Sequence, residues 1–466
     1  MGIWFTGGMS KTYRPWDVEQ AMLLPPSVQE LVPAGHLAHF VRDTVREVLD
    51  LSGILATYSE ERGYPPYHPV MMVALLLYAY CQGIYSSRKI ARACEERVDF
   101  MAVTGPQRPD FRTISDFRKR HLEALGALFG QVLRLCAEAG LVKLGHVALD
   151  GTKVHANASK HKAMSYGRMK QAEPRLAAEV AKWFAEAEAT DTAEEEALGA
   201  ERRGDELPEW VARKEERLAK LRAAKAALEA EAQAAVEQEA TADEGATSPE
   251  SGAEEPAPPR RRKRRKGKQS GPPPGIPEDQ AQRNFTDPDS RIMKDSKGFE
   301  QAYNAQAAVD AGSQVIVGQG VTNAGSDQGE LGPMLRVIEA GTGRVPGELS
   351  ADSGYCSEAN LEELEGRGIR GYVATGRQQH GAAAATGSGS RGGPQVQAMR
   401  RRLKRGGWRS RYRLRKQTVE PVFGQLKGAR GFRQFLLRGL ECVRQEWSLV
   451  CTAHNLRKLA GACGGV

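Results

Sequence analysis

An aspartate inside an apolar strand is the feature that most restricts how this chain can fold. The helical period of the first third stops at Gly140, and His146-Val147-Ala148-Leu149-Asp150-Gly151-Thr152-Lys153-Val154 then reads as a β-strand. A carboxylate within such a run is unfavourable unless it has a partner or a chemical task. Both readings, a catalytic or metal role and a structural one, are open at this point.

The segments around it set the fold class. Upstream, residues 37–51, 70–82 and 89–96 have helical character, Ser86 and Ser87 offering caps to the last. Thr113 with Asp116 makes a capping box, and Ile114, Phe117, Leu122, Leu125, Val132 and Leu135 continue one apolar face to Gly140. Residues 1–140 are therefore expected to be an all-helical N-terminal domain. Its basic positions, among them Arg118 and Lys119, suit either DNA binding or a solvated surface on a packing or dimerisation domain.

Downstream, the strand pattern is interrupted. Val211, Leu218, Leu221, Leu228, Ala232 and Ala235 keep heptad spacing in an Ala/Glu/Arg-rich stretch, which predicts a helical hairpin or short coiled coil. Acidic low-complexity sequence, Pro272–Pro274 and a run at 260–268 with eight basic residues of nine follow, and disorder is expected there. The basic run is either an arm on DNA phosphates or a solvated linker. Residues 161–284 thus form an insertion.

Order resumes with strand-like runs at 301–309 and 314–321 joined by Asp310-Ala311-Gly312-Ser313, a hairpin signal. A helix over 327–340, a strand at 347–352 ending on Asp352, a helix over 358–365 and a strand at 371–374 come next, then a Gly/Ala/Ser-rich loop. Without the insertion the order is β-β-β-α-β-α-β-α. That is the order of an α/β, ribonuclease-H-like mixed sheet flanked by helices, formed by residues 141–160 and 285–466. Its first and fourth strands would lie side by side and bring Asp150 next to Asp352. Asp287, Asp289 and Asp295 fall in a loop before the hairpin and are not expected to be catalytic.

The last helix candidate carries Lys416-Gln417-Thr418-Val419-Glu420-Pro421-Val422-Phe423-Gly424-Gln425-Leu426-Lys427. Val419, Val422, Phe423 and Leu426 form an apolar stripe, while Glu420 and Lys427 share another face two turns apart. Taken alone, such a pair is usually a solvated face. Pro421 fits best in a first turn, so the helix is expected to start with Thr418 as its cap, leaving Lys416 outside.

Charge is strongly segregated. The chain of 466 residues has a formal net charge of +8, but residues 171–259 carry 10 Lys/Arg against 23 Asp/Glu, and residues 398–466 carry 17 against 3. A basic block of net +14 around Glu420 implies a polyanionic partner such as nucleic acid. No apolar run reaches the roughly 20 residues of a membrane span, and Met1-Gly2-Ile3-Trp4 lacks the build of a signal peptide. A cytoplasmic, nucleoid-associated protein is expected. The seven cysteines are scattered, with no metal-ligand spacing, and read as reduced and mostly core residues.

Asp150 in Leu-Asp-Gly-Thr, Asp352 in Ala-Asp-Ser-Gly-Tyr, and Glu420 followed by six residues and Lys427 together resemble the DDE triad of bacterial insertion-sequence transposases. The likeness covers the chain except for residues 165–280 or so. It departs at the motif Tyr-(two)-Arg-(three)-Glu-(six)-Lys: the Arg slot holds Lys416 and the Tyr slot Arg413, with Tyr412 one residue early. Lysine lacks the bidentate grip of arginine on phosphate.

The resemblance implies that Asp150, Asp352 and Glu420 hold Mg²⁺ or Mn²⁺, two ions, and that Lys427 contacts a phosphate near the scissile bond. It implies a homodimer or higher oligomer on the terminal inverted repeats and target DNA, cleaving the ends and joining their 3′-hydroxyls to the target. Arg409, Arg411, Arg413, Arg415 and Lys416, with Arg118 and Lys119, are the expected DNA contacts. A domesticated DNA-binding regulator and a nuclease that cleaves without joining are the competing readings.

Overall fold

The Asp150 strand, β1 (Val147–His155), is the centre of a mixed sheet. The computed structural model describes residues 27–58, 66–198, 209–244, 273–295, 298–376, 386–387 and 392–464. After β1 come a two-stranded ribbon, β2 (Ala163–Ser165) with β3 (Gln282–Asn284), and then β4 (Arg291–Asp295), β5 (Gly298–Asp310), β6 (Ile316–Thr322), β7 (Glu348–Ala351) and β8 (Arg370–Val373). The sheet order is β6-β5-β1-β7-β8, and β4 shares the outer edge of β5 with β6. β5 is antiparallel to β1, whereas β7 and β8 run parallel to it. This is the expected ribonuclease-H-like arrangement, with the first and fourth strands of the core paired.

Among the described residues seven helices precede the sheet: α1 (Leu37–Glu47), α2 (Ser52–Leu55), α3 (Pro69–Cys81), α4 (Ser87–Glu96), α5 (Val98–Thr104), α6 (Phe111–Arg120) and α7 (Leu122–Glu138). Pro69 opens α3, and His68 Nδ1 accepts the Val70 N–H, so the first turn is satisfied. Nearly every side chain of α3 is apolar, and eleven of its thirteen residues are buried, which makes it the hub of this region. The single helical face expected through Gly140 is broken at His121, whose backbone leaves the helical region. The cap of α6 is Asp110, bonded to the N–H groups of Arg112 and Thr113, rather than the Thr113–Asp116 box. An acid three residues earlier reaches those N–H groups first.

The insertion consists of α8 (Tyr166–Leu198) and α9 (Glu209–Glu244), closed at its base by the β2–β3 ribbon. Tyr166, Met169, Leu221, Ala224 and Leu228 form its own small core, and the heptad position Leu218 is buried as well. Ala232 and Ala235 of that pattern are not buried. The basic run at 260–268 and the segment before Ser27 lie outside the described residues, as does most of the Gly/Ala/Ser-rich loop.

Beyond the sheet hairpin stand α10 (Leu331–Thr342), α11 (Glu358–Gly366), α12 (Pro394–Gly406), α13 (Leu414–Gly424) and α14 (Leu440–Ala462). α14 lies between β6 and the helices α3 and α7, and burial of its Val443, Trp447, Val450 and Leu456 makes the helical region and the sheet one continuous core. Asn455 closes the contact with two hydrogen bonds to the Ile316 backbone. Cys81, Cys94, Cys136 and Cys451 are buried free thiols, Cys356 is half-buried, and Cys442 and Cys463 are exposed. Among the described residues no helix is long and apolar enough to cross a membrane.

Candidate active site

β1 has nine residues and its parallel neighbour β7 only four. Their register pairs Leu149 with Ala351, so the next position on each strand is an acid, Asp150 and Asp352. β7 ends there. Asp352 turns out of the strand and caps the following turn, its Oδ1 accepting the Gly354 N–H at 2.8 Å. The strand aspartate therefore lies where the sheet opens on one side, next to a second carboxylate.

α13 brings the third. Thr418, Val419, Val422 and Phe423 are buried, and with Leu426 they fix the helix over β1 and β5, leaving Glu420 exposed towards Asp150. One arginine joins the two acids. Arg415 donates from one terminal nitrogen to Asp150 Oδ2 at 2.6 Å and from the other to Glu420 Oε1 at 3.0 Å. It is 13% exposed, and Asp150 15%.

The helix starts at Leu414 with Arg413 in the cap position, five residues before the expected cap Thr418, and Pro421 lies inside it. A proline there removes the N–H that would bond to the Gln417 carbonyl. Gln314 replaces it, donating from Nε2 to the Gln417 oxygen at 3.2 Å. Gln314 occupies the hairpin tip in a left-handed conformation, φ +61°, and is held by Lys458 and by His454, which bonds its carbonyl. This contact, made across 103 residues, is why a mid-helix proline is tolerated.

After Gly424 the helix widens into a π-helical turn, Gln425–Ala429. Such turns often accompany functional positions. Lys427 in this turn donates to Thr152 Oγ1 at 2.7 Å and to the Lys153 carbonyl at 2.6 Å. Glu420 and Lys427 thus address the same strand two residues apart, one through Arg415 and the other directly.

The early helix start also changes which cation matters. Lys416 is exposed and Arg415 is in the centre. Tyr412 and Arg415 keep a two-residue spacing, followed by four residues rather than three before Glu420. Tyr and Arg are displaced together by one position, a signal that was present in the sequence.

Two other charged groups complete the centre, and no local pattern marks them as site residues. Asp327, expected at the start of a helix, precedes α10 and accepts from Asn304 Nδ2 at 2.5 Å and Gln306 Nε2 at 2.8 Å. Lys153 lies 3.7 Å from it. Asp287 and Asp289, by contrast, are structural. The first accepts from the Tyr303 hydroxyl and the Gly439 N–H, and the second from the Leu440 N–H at the start of α14. Asp295 lies at the end of β4.

The expected DNA contacts separate into two groups. Arg118 is buried, bonded to the Tyr80 hydroxyl and the Tyr85 carbonyl, which corrects its expected place on a DNA-facing surface. Lys119 is exposed beside Asp116. Arg409 is exposed, Arg411 pairs with Glu348 at 3.0 Å, and Arg413 lies over the exposed Trp408 ring.

Burial pushes the Asp150 carboxyl up to about 7, against the pull of Arg415 and with the help of Asp352 and Asp327. A carboxyl whose folded value is raised takes up a proton on folding. Its stabilising effect is full below about pH 4 and disappears as pH rises through about 7. In EDTA, the wild-type melting temperature is expected to fall from pH 5 to 8 relative to Asp150→Asn, as a thermal-melt series would register.

Asp150, Asp352 and Glu420 offer only hard oxygen donors, the set that divalent Mg²⁺ or Mn²⁺ prefers. The Arg415 guanidinium, set between two of them, is a stand-in cation, so the donor set fits such an ion. Among the described residues no three His, Cys, Asp or Glu side chains are grouped as a ready-made metal cage.

Residues 26–120 match the family model described as Transposase domain (DUF772), and residues 392–460 match that described as Transposase DDE domain. The second interval contains Arg415, Glu420 and Lys427. The chain matches no curated protein and no solved structure.

Proposed function

We propose that the chain is an insertion-sequence DDE transposase, the reading its two transposase-domain matches support, and that it binds the terminal inverted repeats of its element, cleaves the phosphodiester at each end and joins the freed 3′-hydroxyl to target DNA. The observation that carries this reading is the meeting of three acids from distant segments. Asp150 and Asp352 stand at adjacent strand positions, and Arg415 ties Glu420 to Asp150. Three acids facing a DNA phosphate would repel it, so simple binding gives no reason for the arrangement.

Asp150, Asp352 and Glu420 would hold two divalent ions, which supply activation of the attacking oxygen and stabilisation of the leaving one. The protein's own groups do the rest. Arg415 leaves its two carboxylates and turns to a DNA phosphate, for which its planar fork is suited. Lys427 holds β1 at Thr152 and Lys153, keeping Asp150 in register with Asp352, and lies close enough to the centre to meet the strand being cut. Lys416, Arg409, Arg411 and Arg413 contribute sequence-independent phosphate contacts, so binding weakens steeply with salt. Two protomers, or more, pair the ends in the cytoplasm at the nucleoid.

The test is incubation of the purified protein with duplexes of its element's ends and a target plasmid, with Mg²⁺ or with EDTA. Joined products formed only with Mg²⁺ are expected. Cleavage without joining would make it a nuclease, and specific binding without metal-dependent cleavage would make it a regulator.

A further inference from the structure

Two charged side chains at the centre have no part in the scheme above. Lys153 is on β1, and with Gly151 it occupies the face opposite Asp150 and Thr152, because side chains alternate along a strand. Its ammonium donates to the Gly325 carbonyl at 3.1 Å and lies 3.7 Å from Asp327 Oδ1; the side chain is 20% exposed. It therefore ends at the rim of the cleft, held by one carbonyl and one loose ion pair.

Asp327 is fixed far more firmly. Its Oδ1 takes N–H groups from Asn304 and Gln306, both fully buried on β5 and paired across the sheet with Lys153 and Gly151. Gln306 is itself bonded to the Tyr355 hydroxyl. The carboxylate can come this close only because residue 151 is glycine: a Cβ there would lie 2.5 Å from Gln306 Nε2 and 2.6 Å from Asp327 Oδ1. Its other oxygen reaches the Asp352 turn. A Cβ on Gly354 would lie 3.0 Å from Asp352 Oδ1 and 3.2 Å from Asp327 Oδ2. Asp327 is thus a fourth acid beside Asp352, anchored from β5.

We propose that Lys153 is a phosphate-contacting residue of the catalytic centre and that Asp327 is the positioning residue that holds its ammonium at the rim. A DNA strand crossing the end of β7 would then meet Arg415 and Lys427 on the α13 side of β1 and Lys153 on the other. The carboxylates are bracketed by cations on both faces, which offsets their repulsion of the phosphate. The long, weak ion pair leaves Lys153 able to reach a phosphate oxygen without breaking the Asp327 anchor. This role rests on the DDE reading, since it supposes that DNA enters this cleft.

The test uses Lys153→Ala, Lys153→Arg, Asp327→Asn and the double variant Lys153→Ala/Asp327→Asn in the full chain, each checked by thermal melting. Binding to a terminal-repeat duplex is measured in EDTA over a series of salt concentrations. Loss of one phosphate contact lowers the slope of log affinity against log salt by about one, and Lys153→Ala is expected to show this while Lys153→Arg does not. In Mg²⁺, Lys153→Ala and Asp327→Asn are each expected to slow end cleavage roughly ten-fold or more. The double variant should be no slower than Lys153→Ala, because Asp327 acts through the lysine. An unchanged salt slope in Lys153→Ala, or losses that multiply in the double variant, would overturn the proposal. The slope is read without catalysis, so it stands apart from the DDE assignment, which fails instead if Asp352→Ala cleaves like the wild type.

Discussion

Asp352→Ala, Asp150→Asn and Glu420→Gln are each expected to lower end cleavage and joining on the order of 10³-fold or more, while binding to the same DNA persists. The size follows from the geometry. Asp150 and Asp352 follow directly on the paired positions Leu149 and Ala351 of two parallel strands, and Arg415 links Glu420 to Asp150 with bonds of 3.0 and 2.6 Å. Groups that act as one unit lose nearly all of their effect when any member is removed. Two of these substitutions combined should therefore be little worse than one. Gel assays of cleaved and joined products, beside filter binding, would show it. Binding lost in parallel with cleavage would mean that these acids support the fold rather than the chemistry.

Trp447→Ala is expected to cost about 3–5 kcal/mol of stability, the range for removing a large buried aromatic side chain. Trp447 is 1% exposed, packs against Phe432 and donates its indole N–H to the Gln306 carbonyl at 3.0 Å. Truncation leaves a cavity where α14 meets the sheet and removes the donor from a buried carbonyl. Gln306 is also the residue that anchors Asp327. Activity should fall here because the protein unfolds or loosens, with a lowered denaturation midpoint. The triad variants should keep theirs. A Trp447→Ala protein that melts like the wild type would refute this account of the core.

The parts of the centre legible in the sequence are those whose signal is local. Asp150 stands out because an acid in the middle of an apolar strand breaks a short-range pattern, and Asp352 because it ends the next strand of the same kind. The stripe Val419, Val422, Phe423 and Leu426 marked the face of the last helix that is buried. Arg415 was displaced by a one-residue shift in spacing, and only its bonds to Asp150 and Glu420 separate it from Lys416. Pro421 has the local pattern of a helix start, but its missing hydrogen bond is replaced by Gln314, a residue of the β5–β6 hairpin that no local pattern connects to α13. Asp327 has the local pattern of a helical residue, since nothing near it in the chain indicates the two buried amides that hold it. Arg118, one of several basic residues in a row, turned inward because Tyr80, Tyr85 and Ser87 offer it acceptors.

By itself the sequence determined the order of strands and helices, the three acids, and the basic block around the last of them. Periodicity, propensity and charge are properties of neighbouring residues and can be read without knowing what the chain packs against. The tertiary structure alone decided which cation meets which carboxylate, which proline could remain inside a helix, and that a fourth acid and a lysine stand beside the triad. Apart from the Arg415–Glu420 bond, each of these is a contact between residues from 21 to 265 positions apart, and its energy exists only once the sheet has brought them within bonding distance.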